Sequence, residues 1–119
     1  MILTYPSKEE AKSLLRDVCG HDFGALDGWN FIGVNGAVVM LKGNEIHVAA
    51  RPDDRGRFVS RRAIRVVLGS LLAVHGVLRT FIRKSNAAGI DFCERLGFVR
   101  IGETADILEC ELKELRHAL

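Results

Sequence analysis

EIHVAARPDDRGRFVSRRAIRVVLGSLLAVHGVLRTFIRKSNAAGIDFCERLGF, residues 45–98, is the stretch whose reading decides the fold. Glu45-Ile46-His47-Val48-Ala49-Ala50 is short, partly β-branched, and bounded by Gly43-Asn44 and Pro52, which predicts a strand. Arg51-Pro52-Asp53-Asp54-Arg55-Gly56-Arg57 follows, and Pro and Gly so close together break any regular element. From Phe58 to Val74 the pattern becomes helical, with Val59, Ala63, Val66, Val67, Leu71 and Val74 recurring at three- and four-residue steps. Arg57, Arg61, Arg62 and Arg65 cluster toward the start of that segment, where basic side chains oppose the helix dipole. Two readings fit this exception. Either the face is simply solvated, or an anionic ligand compensates it.

Gly76 is placed to end the helix as its C′ residue. Val77 to Arg83 then reads as a second strand, parallel to the first across a right-handed crossover. A strand, a basic glycine turn and a helix N-terminus in that order make a natural seat for phosphate. Ser85 and Asn86 are both good N-caps for the next helix, whose apolar side is Ile90, Cys93 and Leu96. Gly97 stops it, and Phe98 to Gly102 begins another strand.

These residues together resemble a GNAT-type acyl-CoA N-acyltransferase. The family's turn, Arg-Gly-x-Gly-x-Gly/Ala, is matched by Arg55-Gly56-Arg57-Phe58-Val59-Ser60, and Pro52 matches the proline before it. The later signature, an Asn, a helix and Leu-Gly-Phe, is matched by Asn86 through Leu96-Gly97-Phe98. The approach His47 to Pro52 followed by Arg55-Gly56-Arg57 is most similar to compact GNAT-like proteins of phages and prophages. The resemblance covers about the C-terminal two-thirds of the chain.

It implies a single α/β domain, residues 1–119, with a mixed central sheet: an antiparallel N-terminal meander and a parallel βαβ unit. It implies acetyl-CoA as acyl donor. In such folds two central parallel strands splay apart and the pantetheine arm lies in the gap, bound by the first strand's backbone. Here that strand is Ile46 to Arg51, so Val48, Ala49 and Ala50 are cofactor-binding candidates. The pyrophosphate would sit on Arg55, Gly56, Arg57, Phe58, Val59 and Ser60, and Asn86 would reach the cofactor arm. There are departures. Phe58 stands where the turn's second glycine lets the backbone approach the pyrophosphate. Cys93 stands where a Tyr usually protonates the departing thiolate. Cys93 is therefore either a core thiol or a substitute acid.

Amine acylation also needs a base. Glu45 and His47 are two residues apart on one strand, so they share a face, roughly 7 Å apart along it. They are candidate base and proton relay. The competing reading is a solvated Glu45 and a half-buried His47 bonded to backbone. His21, beside Asp22, lies in loop-like sequence, and His75 and His117 sit at helix or chain ends.

The N-terminal third supplies a capping box, Ser7 with Glu10, then a helix from about Lys8 to Cys19 with Ala11, Leu14, Leu15 and Val18 on one face. Gly20 to Gly28 is loop-like. Trp29 to Val34 and Ala37 to Lys42 flank Asn35-Gly36, a hairpin signal, and Gly43-Asn44 is a second tight turn. The family usually has two helices between its first two strands, and here there is room for one clear helix. The acceptor side is then open or completed by a second subunit, and large apolar Phe58 adds to the expectation of a homodimer. At the other end, Leu108, Cys110 and Leu112 alternate as in a strand, whereas Leu108, Leu112 and Leu115 fit a helix; the fold resemblance favours the strand. The tail from Arg116 is expected to fray.

Composition bounds the rest. The chain has 119 residues, 48% of them hydrophobic, and a formal charge of +2. That charge is too small to imply nucleic-acid binding, although arginines are concentrated between Arg51 and Arg65. Cys19, Cys93 and Cys110 have no paired spacing, which predicts reduced thiols in a cytoplasmic setting and no metal site. No signal peptide or membrane span is predicted. Two functions are left open: an acetyl-CoA-dependent N-acyltransferase acting on a primary amine or a protein N-terminus or lysine, and a catalytically inactive GNAT-like structural or interaction protein of a phage or prophage.

Overall fold

Ser7 and Glu10 open the first helix by exchanging hydrogen bonds. The Glu10 amide donates to Ser7 Oγ at 3.2 Å, and the Ser7 amide donates to Glu10 Oε1 at 3.3 Å. The capping box read from the sequence is therefore formed. The structure, a computed structural model, describes residues 3–19, 26–34, 37–49 and 58–116, the side chains of 17–19 and 58–61 excepted. By backbone contacts the chain divides into two units, Met1–Val66 and Val67–Leu119.

The first unit is an antiparallel sheet with one helix on it. Its elements are β1 (Leu3–Thr4), α1 (Lys8–Cys19), β2 (Asn30–Val34), β3 (Ala37–Lys42) and β4 (Glu45–Ala49). β1 is a strand that the sequence reading missed; two residues carry no period. It pairs with β2 through Leu3↔Val34 and Thr4↔Gly33. A Cβ at position 33 would collide with Thr4 Oγ1, so glycine permits this pairing. The β2–β3 pairing runs from Asn30↔Leu41 to Val34↔Ala37, which is the register a two-residue loop dictates. β3 and β4 pair from Val38↔Ala49 to Lys42↔Glu45 across Gly43, whose φ is +60°.

Alternation then sorts the side chains. Phe31, Val38 and Met40 share one face, and they form the core with Ala11, Leu15 and Leu26. The opposite face carries Val34, Ala37, Val39 and Ile46, all buried. On the α1 face the strand ends bring up Lys42, Glu45, His47 and Ala49.

α2 (Phe58–His75) spans the division between the units. Its buried stripe differs from the one expected. Ala63, Ile64, Val67 and Leu68 are buried, while Val66 is 49% and Val74 78% exposed. At about 100° per residue, 63, 64, 67, 68 and 71 lie in one arc and 66 lies outside it. The periodicity was satisfied by two overlapping stripes, and burial selects the one containing Ile64 and Leu68. Gly76, at φ +77°, closes the helix by donating from its amide to the Leu72 carbonyl at 2.7 Å.

The second unit holds β5 (Leu78–Arg83), α3 (Ala87–Leu96), β6 (Val99–Glu103) and β7 (Ile107–Leu112). β7 lies between β5 and β6, antiparallel to both. The ambiguous C-terminal segment is thus a strand, and Leu108, Cys110 and Leu112 are its buried row. They face Leu78, Thr80 and Ile82 by register. On the other face Arg79 bonds Glu109 at 2.8 Å and lies 5.5 Å from the centroid of Phe81.

Leu96-Gly97-Phe98 is a helix stop with every bond in place. The Phe98 amide donates to the Cys93 carbonyl at 3.0 Å, and the Gly97 amide donates to Glu94 at 3.1 Å and Cys93 at 3.2 Å. This is a Schellman closure around a left-handed glycine at φ 114°. The Arg116 amide donates to the Leu96 carbonyl at 2.9 Å. The chain is therefore still held at Arg116, where fraying was expected, because this carbonyl has lost its helical partner.

Candidate active site

The β4 strand delivers the two candidate proton-transfer groups to one place. His47 Nε2 lies 2.7 Å from Glu45 Oε2. Strand alternation puts both side chains on one face, and their shared hydrogen bond closes most of the distance along the strand. Neither is sealed off. The side chains are 33% and 31% exposed, so protons can exchange with solvent. The reading of His47 as bonded to backbone gives way to one in which its partner is a carboxylate.

Two further side chains join the cluster, and the sequence reading had singled out neither. The Trp29 ring lies 5.5 Å from the His47 ring, tilted by 56°. Lys42 Nζ is 5.8 Å from the Trp29 centroid, within the range of a cation–π contact. Lys42 is also the register partner of Glu45 across the β3–β4 turn. Gly28, at φ +80°, lies beside the Lys42 stem; a Cβ there would be 3.5 Å from Lys42 Cε. Strand register carries the signal for Trp29. In a two-residue hairpin, the position before Asn30 falls opposite Lys42 and on the face of His47.

The cofactor candidates divide by where they fall. Val48 and Ala49 are half-buried residues of β4. Ala50, Arg55, Gly56 and Arg57 lie outside the described residues. Phe58, Val59 and Ser60 form the first turn of α2. That turn contains no acidic residue, in contrast to α1, which has Glu9 and Glu10 in its first turn. An acid-free first turn suits an anion, since the positive end of the helix dipole lies there with no carboxylate on it.

Asn86 and Cys93 belong to the second unit. Asn86 is the N-cap of α3: its Oδ1 accepts from the Gly89 amide at 3.0 Å. A side chain at position 89 would strike that cap amide, which explains the glycine. Cys93 is a free thiol in α3. Burial pushes its pKa up to about 12, with Cys110 and Glu94 adding to the effect. Cys110 is buried and free as well. Among the described residues no cluster of His, Cys, Asp or Glu is arranged to hold a metal ion. No described helix is long and apolar enough to cross a membrane.

No protein-family model matches the sequence, and no curated protein matches it. Solved structures do. Spermidine N-acetyltransferase of Vibrio cholerae, a dodecamer, superposes with a TM-score of 0.74 at 10% identity, covering 94% of this chain and 92% of that one. The ribosomal-protein-S18-alanine N-acetyltransferase of Escherichia coli gives 0.67 at 16% identity, over 99% and 97%. The ribosomal-protein-S5-alanine acetyltransferase of Vibrio fischeri gives 0.71 at 10% identity, over 93% and 91%. The chain therefore has the α/β fold of the GNAT-type acyl-CoA N-acyltransferases.

Proposed function

We propose that this protein is an acyl-CoA-dependent N-acyltransferase, with acetyl-CoA as donor and a primary amine as acceptor. The observation that carries the proposal is the 2.7 Å contact between Glu45 and His47 on the strand that precedes the basic Arg55-Gly56-Arg57 sequence. It supports a base on the strand whose backbone would bind the donor.

The residues that would hold the donor are the backbone of Val48 and Ala49, the first-turn amides of Phe58, Val59 and Ser60, and the side chains of Arg55 and Arg57. The acid-free start of α2 fits a pyrophosphate. Bound acyl-CoA supplies an acyl group activated as a thioester. The chain's own task is to make the acceptor nitrogen nucleophilic, since an ammonium has no lone pair.

With Glu45 ionised, the hydrogen of neutral His47 belongs on Nε2, which donates it to Glu45 Oε2. Nδ1 is then the ring nitrogen with a free lone pair. It takes the proton from the acceptor ammonium, and Glu45 stabilises the imidazolium that results. The amine then forms the C–N bond as the C–S bond breaks, and the new amide nitrogen releases its surplus proton to water. Cys93 is given no part in protonating the departing thiolate: a thiol held near 12 releases its proton less readily than an ordinary one. Water supplies that proton in this reading.

The test is turnover. Purified protein is incubated with acetyl-CoA and a panel of polyamines, amino-terminal peptides and lysine peptides, and CoA release and acylated amine are both measured by chromatography. Equimolar CoA and acylated amine are expected for at least one acceptor. No turnover, together with no binding of acetyl-CoA, would leave a GNAT-like fold used for another purpose.

A further inference from the structure

The geometry points to Trp29 as a positioning residue that clamps the His47 imidazole against Glu45. The inference rests on the transferase reading for its meaning in catalysis, but the clamp itself is a property of the first unit. His47 needs one. A half-exposed imidazole is free to turn about its Cβ–Cγ bond, which would carry Nε2 away from Glu45, bring a ring carbon into its place and leave the ring's hydrogen without a partner to fix the tautomer. The Nε2 contact at 2.7 Å defines one orientation. A single hydrogen bond open to solvent is a weak means of keeping it.

Trp29 supplies a fixed wall. Its ring centroid is 5.5 Å from that of His47, within the range of an aromatic pair, with the two rings tilted by 56°. The wall is itself anchored on three sides. Trp29 packs on the core of Ala11, Leu15, Leu26, Phe31, Val38 and Met40. Its amide donates to the Leu26 carbonyl at 3.3 Å. The turn before it is tied to α1 by the ion pair of Lys8 and Asp27. Lys42 adds a cation beside the same indole, 5.8 Å from its centroid. An aromatic packed on the core and set against a half-exposed imidazole restricts the ring rotation that would carry Nε2 away from Glu45.

Trp29 is the only tryptophan in the chain, so its replacement changes nothing else of its kind. Trp29→Leu keeps apolar bulk and removes the ring; Trp29→Phe keeps a ring. The readouts are long-range 1H–15N NMR of the His47 imidazole at pH 8, assigned by its loss in His47→Gln, and steady-state kinetics. In the unaltered protein and in Trp29→Phe, His47 is expected as a single tautomer with its hydrogen on Nε2. In Trp29→Leu and in Glu45→Gln a mixture of tautomers is expected. For Trp29→Leu, kcat should fall on the order of 10-fold or more, since misplacing a reacting group is costly, with KM for acetyl-CoA within about 2-fold. A single Nε2–H tautomer in Trp29→Leu would overturn the clamp. So would a variant that loses only thermal stability while kcat is unchanged. If no amine is turned over by any form, the tautomer comparison alone decides the clamp, and only the transferase reading falls.

Discussion

Replacing Gly97 by Ala asks whether Leu96-Gly97-Phe98 holds the fold, and its cost can be worked out from two sources. Gly97 has φ 114° and ψ 7°, a backbone conformation that costs an L-residue roughly 1 kcal/mol or more. A Cβ there would stand 2.7 Å from the Glu114 carbonyl oxygen and 3.2 Å from the Arg116 nitrogen, both backbone atoms. Something must shift, and the bond from the Arg116 amide to the Leu96 carbonyl is the nearest casualty, worth about 1 kcal/mol. The total is about 2–3 kcal/mol. Gly76 is the internal control: it also has positive φ, +77°, but a Cβ would meet nothing within 4 Å. Gly76→Ala should therefore show the conformational term alone, about 1 kcal/mol. Urea unfolding of both variants measures the difference. At this chain length the Gly97 variant should lose roughly 10 °C in Tm. Equal losses for the two variants, or a smaller loss for Gly97→Ala, would refute the argument that packing against residues 114–116 requires glycine.

Asn86→Ala should cost about 1 kcal/mol, the usual value of an N-cap, because it strands the Gly89 amide; urea unfolding reads it. Cys93 should resist alkylation by iodoacetamide at pH 8 in the folded protein and react readily in urea, as peptide mapping by mass spectrometry would show. Its raised pKa also sets a sign. Its contribution to stability is fully present below the ordinary thiol value of 9.0 and is lost as pH rises toward about 12. Acetyl-CoA at 100 times its Kd should stabilise the protein by about 2.7 kcal/mol, and Arg55→Ala with Arg57→Ala should remove most of that shift in a thermal melt.

Local signals with one physical solution were legible in the sequence. Ser7 and Glu10 can close a capping box in only one way, and Asn35-Gly36 between two apolar runs fixed the β2–β3 register. The place of Glu45 and His47 on one face followed from strand alternation. What alternation cannot give is contact, and the 2.7 Å bond between them emerged only from the fold. The α2 stripe was misjudged at Val66, which satisfies the three-residue step as Val67 satisfies the four-residue one, and only the neighbours decide which arc is covered; Val74 lies within the buried arc but is exposed at the end of the helix. Trp29 was missed as a site residue because its partners, Lys42 and His47, come from two other strands. β1 was missed because a two-residue strand is defined by its partner β2, not by a pattern of its own.

The most direct measurement is acyl transfer by Glu45→Gln and His47→Gln, each compared with the unaltered protein at saturating acetyl-CoA and at an acceptor concentration above KM. Glutamine keeps the size of Glu45 but cannot carry its negative charge, and at position 47 it removes the imidazole. Turnover is expected to fall by on the order of 10²-fold or more in both variants, with acetyl-CoA binding by thermal shift unchanged. Full turnover in both variants would contradict the assignment of the Glu45–His47 pair as the base.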